Sequence, residues 1–142
     1  MNLSGFSEAQ QKRIEIAVQN LAFGQLVGIK LETAEPGLAS MSLVVRDELL
    51  QNNGVVHGGA IAALIDSAAA FAVIPLLDED ETATTVDLTV SYVRPLANGV
   101  ASASARVLRA GSRIVVISAE VQDEAGNLAA TGLTTYLRLQ KR

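Results

Sequence analysis

The run from Gly54 to Leu77, GVVHGGAIAALIDSAAAFAVIPLL, contains a single acidic residue, Asp66, in otherwise apolar surroundings. A helix with this sequence has no face polar enough for water, so the rest of the fold has to enclose it. The same stretch is long enough to be tested as a membrane span. Against a span stand its alanine and glycine content, His57 and Asp66 within it, the lack of a basic flank, and the acidic Asp78-Glu79-Asp80-Glu81 that follows. We therefore expect the central helix of a soluble protein. A carboxylate in such a helix is costly unless it is paired, hydrogen-bonded or used. Asp66 is thus either a structural group bonded to a neighbour or a catalytic one.

The 142 residues suit one domain spanning 1–142, and 49% hydrophobic against 18% charged residues suffices for a full core. The net charge of −4 disfavours a nucleic-acid partner. With no cysteine and one histidine, the chain has no disulfide framework, no thiolate nucleophile and no multi-histidine or cysteine metal site. No metal or cofactor is expected. The N-terminus MNLSGFSEAQQKR lacks the pattern of a signal peptide, and a cytoplasmic location is expected. No Gly-x-Ser-x-Gly, Gly-x-Gly-x-x-Gly or Walker sequence is present, which removes serine triads of that type and the common nucleotide cradles.

Residues 7–22 predict an amphipathic helix, opened by a capping box of Ser7 and Gln10. Leu26–Leu31 and Leu38–Val45 predict strands joined by a turn at Glu35-Pro36-Gly37. Arg46–Asn53 predicts a loop that ends in the turn Asn52-Asn53-Gly54, and the long helix follows over His57–Leu76. Four strands then predict an antiparallel meander: Thr85–Val93, Val100–Leu108, Arg113–Gln122 and Leu128–Leu139. Val86, Leu88, Val90 and Tyr92 share one face of the first. Ala101, Ala103 and Ala105, with Ala129 and Thr131 on a neighbouring strand, form small-residue stripes on which a helix can lie close. The expected class is α+β: a curled antiparallel sheet of five or six strands around one long helix, with an N-terminal helix. One sheet covers one side of that helix, so the other side and any free strand edge favour self-association.

Gly58 and Gly59 open the long helix, where backbone N–H groups lack intrahelical partners and the macrodipole is positive. Such an end can polarise a carbonyl, and glycine allows close approach. Asp66 lies roughly 12 Å further along the axis and about 80° around it. One chain's Gly58 and Asp66 are too far apart to act on one carbonyl carbon. If both serve one reaction, Asp66 comes from a second subunit, and a twofold dimer supplies two such sites. His57 is either a helix-start residue whose ring bonds to backbone or part of the site.

The run Leu50-Gln51-Asn52-Asn53-Gly54-Val55-Val56-His57-Gly58-Gly59, with Asp66 seven residues later, resembles the hotdog-fold acyl-CoA thioesterases of the phenylacetyl-CoA (PaaI) type. Phe23–Val45, Thr85-Val86-Asp87-Leu88, Tyr92-Val93-Arg94-Pro95, Gly111-Ser112-Arg113 and Asp123-Glu124-Ala125-Gly126 extend the resemblance over nearly the whole chain past residue 20. It implies hydrolysis of an acyl-CoA thioester by a homodimer or dimer of dimers (a homotetramer). Gly58 N–H would polarise the thioester carbonyl, and Asp66 of the partner subunit would act as general base or nucleophile. Gln51 stands where many relatives have asparagine, with Asn52 and Asn53 as neighbouring amides. Thr85, or Thr84 beside it, stands where relatives carry a hydroxyl residue near the attacking water; it is otherwise an ordinary strand threonine. Candidate substrate contacts are His57, Gly59 and Asn53, together with Arg94 and Arg113, which sit beside turns and suit the phosphates of coenzyme A or are simply solvated.

A thioester is already activated, so its hydrolysis asks for a polarised carbonyl and a positioned water. One oxyanion donor is worth about 3–4 kcal/mol, and a positioned base adds roughly 10²–10⁴ in rate. Two alternatives use the same fold: a non-catalytic acyl-CoA binding protein, which has no need of a carboxylate beside the carbonyl, and a hydratase or dehydratase, which needs histidine and carboxylate farther apart in sequence than His57 and Asp66.

Overall fold

The structure, a computed structural model, describes residues 1–142. Its elements are α1 (Glu8–Gln19), α2 (Ala22–Val27), β1 (Ile29–Glu35), β2 (Leu38–Val44), α3 (Gly58–Val73), β3 (Glu81–Tyr92), β4 (Val100–Ala110), β5 (Ile114–Gln122) and β6 (Leu128–Gln140). The six strands form one antiparallel sheet in the order β1-β2-β4-β5-β6-β3. This is the hotdog arrangement expected from the sequence, with α3 enclosed by the sheet's concave face.

α1 begins at Ser7, whose side chain accepts from Gln10 N–H while the Gln10 side chain bonds back to the cap. Gln10 Nε2 reaches Pro75 O at 2.8 Å, and the Arg13 guanidinium donates to the Leu77 carbonyl. Two α1 side chains thereby satisfy carbonyls left open just past the end of α3.

The sheet meets α3 through small residues. Ala101, Ala103 and Ala105 on β4, Ala119 on β5 and Ala130 on β6 are all buried. At Gly132 the approach is close: a Cβ there would lie 2.8 Å from Ile65 Cγ2 on α3. The small residues of β6 in the core are therefore Ala129, Ala130 and Gly132; Ala129 is fully buried as expected, whereas Thr131 is not part of the stripe. The ladder from β5 shifts register at Ala129, which has no β5 partner, so two successive residues, Ala129 and Ala130, are both buried.

Three further expectations are corrected. Leu26 and Val27 are helical, and β1 starts only at Ile29. Arg46 holds the end of α2 by donating to the Val27 carbonyl and, at 2.8 Å, to Leu26 O. The second half of the chain is not a four-strand meander, since β3 pairs with β6 at the sheet's edge and only β4-β5-β6 run consecutively. The link from β3 to β4 crosses the sheet end. Val93 and Arg94 N–H bond to Ala129 O, Leu96 O accepts from Val56 N–H, and Gly99 O accepts from Val45 N–H. Lastly, Val86 does not share a face with Leu88, Val90 and Tyr92. It is the extra residue of a β-bulge between Thr85 and Asp87, and its side chain is exposed.

Candidate active site

Two clusters stand along α3. At its start, His57 is the N-cap, and its Nδ1 accepts from Gly59 N–H at 2.8 Å. That bond places the ring proton on Nε2. Ala60 N–H goes to His57 O, and His57 N–H goes to Leu49 O. Gly58 N–H, the first of the helix, donates to no group of the chain. Of the paired glycines, then, Gly58 keeps its donor free and Gly59 spends it on the cap.

Beside Gly58 lies a cavity of about 380 Å³ whose walls include Gln51, Ile61, Tyr92, Arg94 and Leu96. The crossing link from β3 to β4 is what brings Arg94 and Leu96 to the segment before α3. Gln51 is half-buried here, with its backbone N–H on Val55 O at 2.8 Å. Asn52 and Asn53 point outward at the turn tip, where Gly54 has φ +76. Tyr92 Oη donates to Gly58 O at 2.7 Å, and a Cβ on residue 58 would sit 3.1 Å from the Tyr92 ring. Gly58 is thus small because an aromatic ring lies against it.

The second cluster surrounds Asp66, two turns on. Asp66 Oδ1 accepts from Thr85 Oγ1 at 2.8 Å and from Tyr136 Oη at 2.8 Å. Tyr136 Oη also lies 2.8 Å from the main-chain oxygen of Asp66. Thr85 and Tyr136 are direct partners across β3 and β6. The bulge at Val86 makes this possible: it keeps Thr85 facing inward although Leu88, three residues on, also faces inward. Asp66 Oδ2 has no hydrogen bond within the chain, and no buried side-chain oxygen is left unpartnered, so Oδ2 opens to accessible space. Burial, with the Asp66 carboxylate close by, pushes the Tyr136 phenol far above its ordinary value and keeps it protonated.

Tyr136 escaped the sequence reading. The signal was present: a buried tyrosine needs a partner for its hydroxyl, and an apolar helix carrying one aspartate offers few.

The helix face that bears Gly59, Ala62, Ala63, Asp66, Ser67, Ala70 and Ile74 is only partly covered, with Gly59 exposed and the rest half-buried, while Leu64, Ile65, Ala68, Ala69 and Phe71 are buried. The structure therefore gathers Gln51, Gly58 and Arg94 in one place and Asp66 with Thr85 in another. Arg113 is not gathered with Gly58: it is exposed between β4 and β5 at the other end of the sheet, where its carbonyl accepts from Arg138 N–H.

The sequence pattern of the Thioesterase superfamily matches residues 53–130, which include both clusters except Gln51 and Tyr136. The medium/long-chain acyl-CoA thioesterase YigI of Salmonella typhimurium is 28% identical over 138 residues, covering 87% of this chain and 89% of that protein. A conserved protein of Pseudomonas aeruginosa has a solved structure similar to this one at TM-score 0.80 and 33% identity, over 83% of this chain and 94% of its own. The PaaI protein from the phenylacetic acid degradation operon of E. coli shares the fold at TM-score 0.86 and 22% identity, over 96% and 97% of the two chains.

Proposed function

The chain belongs to the thioesterase superfamily and is a thioester hydrolase; on that premise we propose that it hydrolyses acyl-CoA thioesters at a site shared by two copies of the chain. Gly58 N–H of one copy receives the thioester carbonyl oxygen, and Asp66 of the other supplies the carboxylate. The observation that carries this reading is the pairing of an unused N–H at the helix start with an open carboxylate oxygen two turns away on the same helix. Within one chain they lie roughly 12 Å apart along the axis. The half-covered, small-residue face of α3 and the free edge of β3 support an assembly in which a second helix meets the first. A dimer of such dimers is the assembly we expect.

In the general-base form, Asp66 Oδ2 takes a proton from water as the water oxygen attacks the carbonyl carbon. The oxyanion forms on Gly58 N–H. Collapse breaks the carbon–sulfur bond, and the proton passes from Asp66 to the departing thiolate, giving a carboxylic acid and free coenzyme A. In the nucleophilic form, Oδ2 attacks the carbon itself and the carbon–sulfur bond breaks, releasing coenzyme A as the thiolate. Water then cleaves the resulting anhydride, which regenerates the Asp66 carboxylate, frees the carboxylic acid and supplies the proton that the thiolate takes up. Both forms need the same groups in the same places. Gln51 lines the cavity next to Gly58, where an amide can orient the water or the carbonyl, and Arg94 in the same wall suits a coenzyme A phosphate. The likeness to YigI supports medium and long acyl chains as the first substrates to try.

The test is thiol release from a panel of aromatic and short-to-long aliphatic acyl-CoA thioesters, with wild type beside Asp66→Asn. We expect turnover by wild type and a loss of roughly 100-fold or more in the variant at unchanged melting temperature. Equal turnover by the two proteins would refute Asp66 as the catalytic carboxylate.

A further inference from the structure

Granted that hydrolysis runs through Asp66, we infer that Tyr136 is a positioning residue that anchors Oδ1 of that carboxylate and so leaves Oδ2 as the single reacting oxygen. The two oxygens of Asp66 are not equivalent. Oδ1 lies 2.8 Å from both the Thr85 and the Tyr136 hydroxyls, whereas Oδ2 meets no donor of the chain. An aspartate on a helix can rotate about χ2 and exchange its oxygens. Two donors on one oxygen, fixed on neighbouring strands, oppose that exchange.

Tyr136 suits the role better than a flexible side chain. It is 4% exposed, sits on β6 between β5 and β3, and pairs with Val115 on one side and Thr85 on the other. Its hydroxyl stays protonated wherever the enzyme works, because burial and the adjacent carboxylate both oppose ionisation. It is thus a donor throughout and takes no part in proton transfer. Its second contact, to the Asp66 main-chain oxygen, ties the helix backbone to the sheet at the residue that carries the chemistry.

Tyr136→Phe removes the hydroxyl alone. The Asp66 main-chain oxygen keeps the helical N–H of Ala70, so the backbone is not left unpaired. We expect kcat to fall roughly tenfold, since hydrogen bonds to charged groups are the stronger class, with KM little changed. Loss of a donor to the carboxylate also favours its protonated form, so the acid limb of the kcat–pH profile should move to higher pH. Thr134→Val serves as control. Thr134 is fully buried on the same strand, and its hydroxyl bonds to Asp87 O at 2.7 Å, away from Asp66. It should lower stability and leave kcat and the pH profile in place.

An unchanged kcat in Tyr136→Phe, or a fall without movement of the acid limb, would overturn the inference. In either event loss of turnover in Asp66→Asn shows that the hydrolase reading itself survives, whereas full turnover in Asp66→Asn removes both. Should Tyr136→Phe not fold, replacing tyrosine by 3-fluorotyrosine keeps the hydroxyl and strengthens it as a donor. The acid limb should then move to lower pH, with a Tyr92→Phe background isolating the effect of Tyr136. A stationary limb would count against the role.

Discussion

Thr85 and Tyr136 act on the same oxygen of Asp66, which sets how their removal should combine. Thr85→Val should lower kcat by roughly tenfold, as expected for loss of one charge-assisted hydrogen bond. The double variant with Tyr136→Phe should fall short of the product of the two, because the first loss already frees the carboxylate to turn. Steady-state kinetics of the single and double variants measure this. Strict multiplicativity would mean that the two hydroxyls act independently. At this scale the sequence was most legible where it broke its own pattern. Asp66 stood out as a charge in an apolar helix, and Gly58-Gly59 as paired glycines at the helix start. The division of labour between those glycines was not legible, because it depends on which N–H the His57 ring takes. Tyr136 lies 70 residues from Asp66 along the chain and meets it only through strand pairing.

The element that places the site is β3, through one inserted residue. Its alternation changes phase at Val86, so Thr85 and Leu88 both face α3. Sequence alternation alone put Val86 on one face with Leu88, Val90 and Tyr92, since a bulge leaves no local mark in Thr-Thr-Val-Asp-Leu. The partner element is β6, where Gly132 sets the distance to α3. Gly132→Ala should destabilise the fold by about 1–3 kcal/mol, read by equilibrium denaturation. Its Cβ would stand 2.8 Å from Cγ2 of Ile65, a fully buried β-branched side chain with little freedom to turn. An unchanged stability would mean that α3 can lift from β6, and with it Asp66 from Tyr136. α2 shows the opposite limit of sequence reading. Its six residues are too few to hold a helix by themselves, and Arg46, 19 residues beyond Val27, supplies the bonds that close it.

At the end of the sheet opposite Gly58, Arg138 pairs with two carboxylates, Glu81 and, at 3.8 Å, the exposed Asp78. Glu81 on β3 and Arg138 on β6 are both largely buried. Arg138 Nε lies 3.2 Å from each carboxylate oxygen, and Asp78 N–H adds 2.9 Å to Oε2. The Arg138 hydrogen bond, aided by that backbone N–H, holds the Glu81 carboxyl below its ordinary value of 4.5. A group with a lowered folded-state value contributes stability that is present above the unfolded value and is lost as pH falls through the folded one. Stability should therefore drop as pH falls below about 4.5, and Glu81→Gln should flatten that dependence while lowering stability at neutral pH. Denaturation midpoints between neutral and acid pH test this, and parallel curves for the two proteins would contradict it.

In the proposed function, Gly58 and Asp66 of different copies form one site. Gly58→Pro removes the relevant N–H and keeps the helix start; the added Cβ would stand 3.1 Å from the Tyr92 ring, a contact that the exposed Tyr92 side chain relieves by moving a few tenths of an ångström. Proline is favoured at the first helical position, and His57, with φ −58 and ψ 133, already has the extended backbone that a residue before proline adopts. Gly58→Pro and Asp66→Asn should each be inactive alone. Co-refolded in equal amounts, they should recover roughly a quarter of wild-type thiol release, because half the dimers are mixed and each mixed dimer has one complete site. No recovery in mixtures shown to contain mixed dimers would contradict the shared site.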